Sequence, residues 1–191
     1  DEDEHRFVLG PAPYLLSLRA GHSPVGVVRH SDLVELAERT GASAVLAVRV
    51  GDASVYVDWA GTDDPFNYLT VRQLRTPLPE TAVGRVLLAH LPDRDRHEIV
   101  AEELGDDPRA AVALLTELER IRERGHLLGD SGPMLRGITA VAAPVREEGS
   151  VVAAVALAGA HGDVTHRLQE FAGVLTEAVA QWSERSLAPR E

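Results

Sequence analysis

The sequence predicts a single α+β domain with a central antiparallel sheet flanked by helices, and three observations carry that prediction. Strand-like runs come in two groups, and within each group they are joined by hairpin-type turns, not by helical crossovers. Helical stripes separate the two groups and close the chain. A length of 191 residues with 45% hydrophobic content suits one domain with a real core, and no repeat or low-complexity linker divides it.

The elements follow in order. Residues 11–18 read as a short helix with Tyr14, Leu15 and Leu18 on one face. A clearer helix starts at Ser31-Asp32, where Asp32 can cap and Glu35 completes a capping box. Leu33, Leu36 and Ala37 are its core candidates and Gly41 its stop. Residues 44–50 form an apolar strand, Gly51-Asp52 a turn, and residues 54–59 a second strand that alternates Val55, Val57 and Trp59 against Ser54, Tyr56 and Asp58. Residues 68–74 are a third strand candidate, ahead of the turn-rich Thr76-Pro77-Leu78-Pro79.

The middle is helical. One helix runs from a capping Thr81 to about Leu91, and Asp93 can cap another to about Leu104. Asp107-Pro108 opens a third, with Ala111, Leu114, Leu115, Leu118 and Ile121 on one face and Gly125 at its end. Strands at 138–145 and 151–157 then flank Glu147-Glu148-Gly149-Ser150, a hairpin connection. A final helix carries Leu168, Phe171, Ala172, Leu175, Ala178, Val179 and Trp182, a stripe equally suited to core or to a subunit interface.

Charge and composition exclude several functions. The formal net charge is −11, every one of the 19 basic residues is arginine, and no segment supplies the basic stripe that displaces counterions from DNA. This stretch of chain is therefore not expected to bind DNA by itself. Without cysteine there is no disulfide, thiolate metal site or thiol nucleophile. No apolar run approaches a membrane span, and Asp1-Glu2-Asp3-Glu4 is the opposite of a signal peptide, so the expected compartment is the cytoplasm.

Three blocks resemble the effector-binding domain of the IclR family of bacterial transcription regulators, whose fold is GAF-like. Residues 77–89, PLPETAVGRVLLA, are similar to P-L-H-x-T-A-x-G-K-A-L-L-A. Arg122-Glu123-Arg124-Gly125-His126, followed by Gly137-Ile138 and Ala142-Ala143-Pro144-Val145, is similar to R-x-R-G-Y and G-V…A-A-P-V. Residues 151–159, VVAAVALAG, are similar to V-V-A-A-L-S-V-S-G, and residues 36–41, LAERTG, to the family's L-A-E-x-T-G helix end. Their order and spacing over about 150 residues make the combination specific where each block alone is generic. Arg6-Phe7-Val8-Leu9-Gly10 resembles the Y-x-L-G that closes the family's winged helix-turn-helix. The resemblance thus implies that residues 1–10 are the tail of a DNA-binding domain not present in this chain, and residues 11–191 the effector-binding domain.

What the resemblance implies for function is sensing, not catalysis. The chain would bind a small-molecule effector without a cofactor or metal and assemble as a homodimer or homotetramer. It would reach DNA only through the missing N-terminal domain. The candidate effector-binding residues are Thr81, Ala82, Val83, Gly84, Asp130, Ile138, Thr139, Ala140, Ala156 and Ala158. A Thr-capped helix start beside sheet strands offers backbone N–H groups to an anion or a carbonyl. Small residues at Ala82, Gly84, Ala156, Ala158 and Gly159 either leave room for a ligand or allow close helix-on-sheet packing.

The sequence also departs from the family. Members that bind small 2-oxo acids hold them by a carboxylate before the G-V block, a Cys within it and two Ser in S-V-S-G. Here those positions read Asp130 (or Gly129, since the loop is one residue longer), Ala140, Ala156 and Ala158. A small, strongly polar acid would give up its water there without replacement hydrogen bonds. The expected effector is accordingly larger or more apolar, aromatic or acyl, with its polar end at Thr81, Thr139 or nearby backbone. A GAF-like sensor in another signalling context is the alternative.

Two further motifs have plainer explanations. Gly129-Asp130-Ser131-Gly132-Pro133 is similar to the nucleophile motif of chymotrypsin-like serine proteases, but one glycine of that motif is missing and no histidine-base segment accompanies it. It reads as a tight, flexible loop. His161 and His166, with Asp163 between them, could hold a metal, although a solvated loop explains them as well. Glu102-Glu103 and Glu147-Glu148 read as solvated faces.

Overall fold

The structure, a computed structural model, describes residues 26–61 and 75–187. The helix expected at 11–18, the strand expected at 68–74 and the tail at 1–10 lie outside these residues. Helix α1 (His30–Thr40) leads into β1 (Ser43–Val50) and β2 (Ala53–Ala60). Strand β3 (Arg75–Pro77) and a single 3-10 turn (Leu78–Glu80) precede α2 (Ala82–Ala89), α3 (Asp93–Leu104) and α4 (Pro108–Arg124). Then come β4 (Leu127–Asp130), a second 3-10 turn (Pro133–Leu135), β5 (Ile138–Glu147) and β6 (Ser150–Ala160). The short α5 (His161–Val164), a third 3-10 turn (Thr165–Arg167) and the long α6 (Leu168–Leu187) complete the chain of elements.

The six strands form one sheet in the order β3-β2-β1-β6-β5-β4, every neighbour antiparallel. The two hairpin groups therefore meet at the β1–β6 pair in the centre. Glu148 and Gly149, at φ of 50° and 82°, make the two-residue turn between β5 and β6, and such a pair of positive φ values matches the right-handed twist of the strands it joins.

Both faces of the sheet are covered, because alternate residues of each central strand belong to different cores. Ala44, Leu46, Val141, Ala143, Val155 and Leu157 pack with α1 and α6, and Phe171, Leu175 and Trp182 come from the latter. Val45, Ala47, Ala140, Ala142, Ala154, Ala156 and Ala158 pack on the other face with α2, beyond which lie Leu114, Leu118 and Ile121 of α4. Helix α2 buries Ala82, Val83, Val86, Leu87, Leu88 and Ala89; a helix apolar on every side has layers on both sides. The layers thus run α1 and α6, sheet, α2, then α3 and α4.

Several sequence expectations shift at their edges. Asp32 is not the cap of α1 but its third residue, where its carboxylate accepts the Arg29 N–H at 2.8 Å. Asp93 is likewise the first residue of α3, with Pro92 at the cap. Thr81 and Asp107 do cap α2 and α4, accepting Gly84 N–H at 3.1 Å and Ala110 N–H at 3.0 Å. Part of the segment 129–133, read as a flexible loop, is strand: Leu128 pairs with Val141 and Asp130 with Thr139. Thr76-Pro77, read as turn, is the body of β3, where Thr76 pairs with Ser54. A proline is tolerated there because β3 is an edge strand.

Candidate functional site

The start of α2 is built from three directions. Thr81, 1% exposed, caps the helix, and its carbonyl takes the Arg85 N–H at 2.9 Å. Across from it β2 and β3 bring Ser54 and Thr76, whose hydroxyls lie 2.8 Å apart, with Ser54 3.4 Å from Thr81 Oγ1. Tyr56 joins this buried hydroxyl cluster. Burial pushes its phenol up to about 12, and a hydrogen bond with Thr81 offsets only part of the rise. The Ser54 and Tyr56 side of β2, the more polar in composition, is thus the side turned into the α2 core, whereas Trp59 is 38% exposed.

Gly84 is required by close approach. A Cβ at this position would run into the Leu78 carbonyl and the Thr81 hydroxyl. With Gly84 N–H taken by Thr81 and Arg85 N–H by the Thr81 carbonyl, the amides of Ala82 and Val83 are those a helix start leaves without an internal acceptor. No acceptor for either is present among the described residues. As first-turn amides they point out of the helix N-terminus, where a partial positive charge collects.

The ten candidate residues do not all converge. Thr81, Ala82, Val83, Gly84, Ile138, Ala140, Ala156 and Ala158 lie in the layer between α2 and the sheet, with Ile138 packed at its edge. Thr139 does not. It shares a face with Val141 and Ala143, and its hydroxyl is 2.8 Å from His161 Nδ1 at the start of α5. Asp130 pairs with Thr139, is exposed, and accepts the Gly132 N–H at 2.7 Å. Sequence reading missed Ser54, Tyr56 and Thr76, because no local pattern links residues that meet only through strand pairing.

Ser131, next to Asp130, lies in the protease-like segment that reads from sequence as a tight loop. Its N–H donates to the Ile138 carbonyl at 3.0 Å, so the two residues stand opposite each other and share a side of the sheet. Ile138 packs against the α2 core, and so does Leu135 three residues after Gly132. Ser131 is 1% exposed, and its hydroxyl has no hydrogen-bond partner among the described residues. Arg85, in α2 nearby, donates to the Pro79 carbonyl at 2.9 Å and to Glu117 at 3.0 Å.

Two open grooves lie elsewhere. One of about 480 Å³ separates α1 from α6 and is lined by Asp32, Leu36, Arg39, Trp182 and Arg185. Another of about 430 Å³ lies by His30, Val34, Ala37, Trp59 and Gly61. None of the candidate residues lines either, and the chemistry converges at α2 instead. His161, Asp163 and His166 do not gather, and among the described residues no three His, Cys, Asp or Glu side chains are placed to hold a metal ion.

The sequence profile described as bacterial transcriptional regulator IclR C-terminal matches residues 22–184. The chain belongs to this family. Among its relatives, the protein named Probable transcriptional regulator SauR, from Cupriavidus necator, is 34% identical over 135 residues, 68% of this chain and 53% of the relative. The chain therefore spans about half the length of that relative. Its fold matches the Thermotoga maritima IclR with a TM-score of 0.74 at 26% identity, covering 97% of this chain and 78% of that one. It also matches an IclR homolog from Microbacterium hydrocarbonoxydans complexed with 4-hydroxybenzoate (TM-score 0.77, 22% identity, 95% of this chain and 76% of that one), a likeness of fold. No helix among the described residues is long and apolar enough to cross a membrane.

Proposed function

We propose that this IclR C-terminal domain senses a small-molecule effector between α2 and the sheet, an effector with an apolar body and one polar end. The observation that carries this is the pairing of unaccepted amides at Ala82 and Val83 with a sheet face made of Ala140, Ala142, Ala154, Ala156 and Ala158. The amides favour an anion or carbonyl oxygen. The alanine face can cover an aromatic or acyl body but offers no side-chain hydrogen bond, so a small 2-oxo acid would lose more to desolvation than it regained. Complex formation with 4-hydroxybenzoate by the Microbacterium homolog supports the same size and chemistry.

The domain would act without a cofactor, as part of a cytoplasmic regulator in which a winged helix-turn-helix supplies DNA contact. A net charge of −11 leaves this domain itself unsuited to phosphate contact. As a homodimer or homotetramer, the regulator would change the spacing of its DNA-binding heads when the effector favours one arrangement. Tenfold regulation by that route needs about 1.4 kcal/mol of preference for one state. A thermal-shift panel of pyruvate, glyoxylate, 4-hydroxybenzoate and medium-chain fatty acids tests the reading. Stabilisation by the aryl or acyl acids and none by the oxo acids is expected; tight pyruvate or glyoxylate binding would contradict it.

A further inference from the structure

Resting on that sensing site, we propose that Ser131 is the side chain that selects a carboxylate at the effector's polar end, acting together with the Ala82 and Val83 amides. The orphaned Ser131 hydroxyl is the independent sign of a ligand. A buried hydroxyl without a partner costs stability, and folded proteins keep few of them without a use. This one is held on the α2 side of β4 by its pairing with Ile138. Its neighbour Gly132 abuts the Glu80 carbonyl, one residue before the helix cap, so closely that a Cβ there would collide with it. The hydroxyl and the first amides of α2 therefore lie at one end of the alanine-lined layer.

The charge around this end suits an anion. The N-terminus of α2 supplies partial positive charge, and the Arg85 guanidinium stands beside Gly132. Carboxylates oppose it from the surroundings: Glu117 is paired with Arg85, Asp130 is exposed and bonded to the Gly132 N–H, and Glu80 stands directly before the helix cap. Asp130 and Ser131 are consecutive in an extended segment, so they face opposite ways. Alternation thus turns the aspartate to solvent and the serine into the layer. A carboxylate has two oxygens, enough to accept from Ser131 with one and from the helix amides with the other.

The test titrates the domain with benzoate, hexanoate and the uncharged benzamide by calorimetry, using the unmodified protein and Ser131→Ala. The unmodified domain should bind benzoate or hexanoate, and benzamide more weakly than benzoate. Ser131→Ala should weaken carboxylate binding about tenfold or more, the loss typical of a hydrogen bond to a charged group. It should also raise the melting temperature of the unliganded domain by about 2–4 °C, because a buried orphan hydroxyl is gone. That pair of opposite signs separates a binding role from a structural one. Unchanged affinity in Ser131→Ala, or a lowered melting temperature, would overturn the assignment of Ser131 and leave the sensing site standing. If neither carboxylate binds the unmodified domain, the sensing chemistry and the Ser131 assignment fall together.

Discussion

Tyr56 shows how one residue reports on the packing at the α2 start. Its phenol is buried beside Thr81 and raised from 10.0 to about 12, so the folded state holds its proton more tightly than the unfolded chain does. The contribution to stability is complete below the unfolded value and is lost as pH rises from there through the folded one. Ultraviolet titration of the phenolates should therefore show a component ionising near 12, absent in Tyr56→Phe. A normal titration for every tyrosine would mean that the hydroxyl cluster is open to water. At this scale the sequence was legible where a single residue acts on its own backbone. Thr81 caps α2 and Asp107 caps α4 as their positions suggest. It was not legible where partners are remote: Ser54 meets Thr76 across 22 positions and Thr81 across 27. That Thr139 and Ala140 serve opposite faces of the sheet follows from alternation along the expected strand, which rules out both lining one site.

Among the elements, α1 and α6 are joined at the edge of their apolar seam by two ion pairs, Arg39 with Glu177 at 3.5 Å and the shorter clasp of Asp32 with Arg185. Burial alone would raise the Asp32 carboxyl; the Arg185 side chain and the Arg29 amide outweigh it and hold the pKa below the usual carboxylate value. Arg185 reaches Asp32 at 2.7 Å, and the Asp32 side chain is only 11% exposed. Arg185→Ala leaves that carboxylate with the Arg29 amide alone, and urea unfolding should record a loss of about 1–2 kcal/mol. Because the folded pKa is depressed, the clasp stabilises above the unfolded value and fails as pH falls through the folded one. The variant should accordingly lose less stability than the parent between neutral pH and pH 3; an equal acid loss in both would show that the clasp contributes nothing. The long elements were readable because their apolar residues recur at helical or strand spacing. β3 and β4 were not, since Thr76-Pro77 and Gly129-Asp130 have the composition of turns and become strands only through pairing with β2 and β5. The start of α1 moved from Asp32 to His30 because the aspartate serves the Arg29 amide from inside the first turn.

Over the whole molecule, the two faces of the sheet differ in the side chains that β5 and β6 give them. The side of α1 and α6 is filled by branched and aromatic residues, among them Leu33, Leu36, Val155, Leu157, Phe171 and Trp182. The α2 side has alanines along β5 and β6, with hydroxyls and unaccepted amides at one end. Small side chains along β5 and β6, with spare hydrogen-bond donors at one end, are what a binding layer needs. The IclR fold itself was legible in the order of the sequence blocks. Backbone amide NMR of the domain titrated with 4-hydroxybenzoate locates the ligand chemistry directly. The largest shifts are expected at Ala82, Val83, Ser131, Ala140, Ala156 and Ala158. Shifts confined to the α1–α6 groove around Leu36 and Trp182, or no shifts at all, would contradict it.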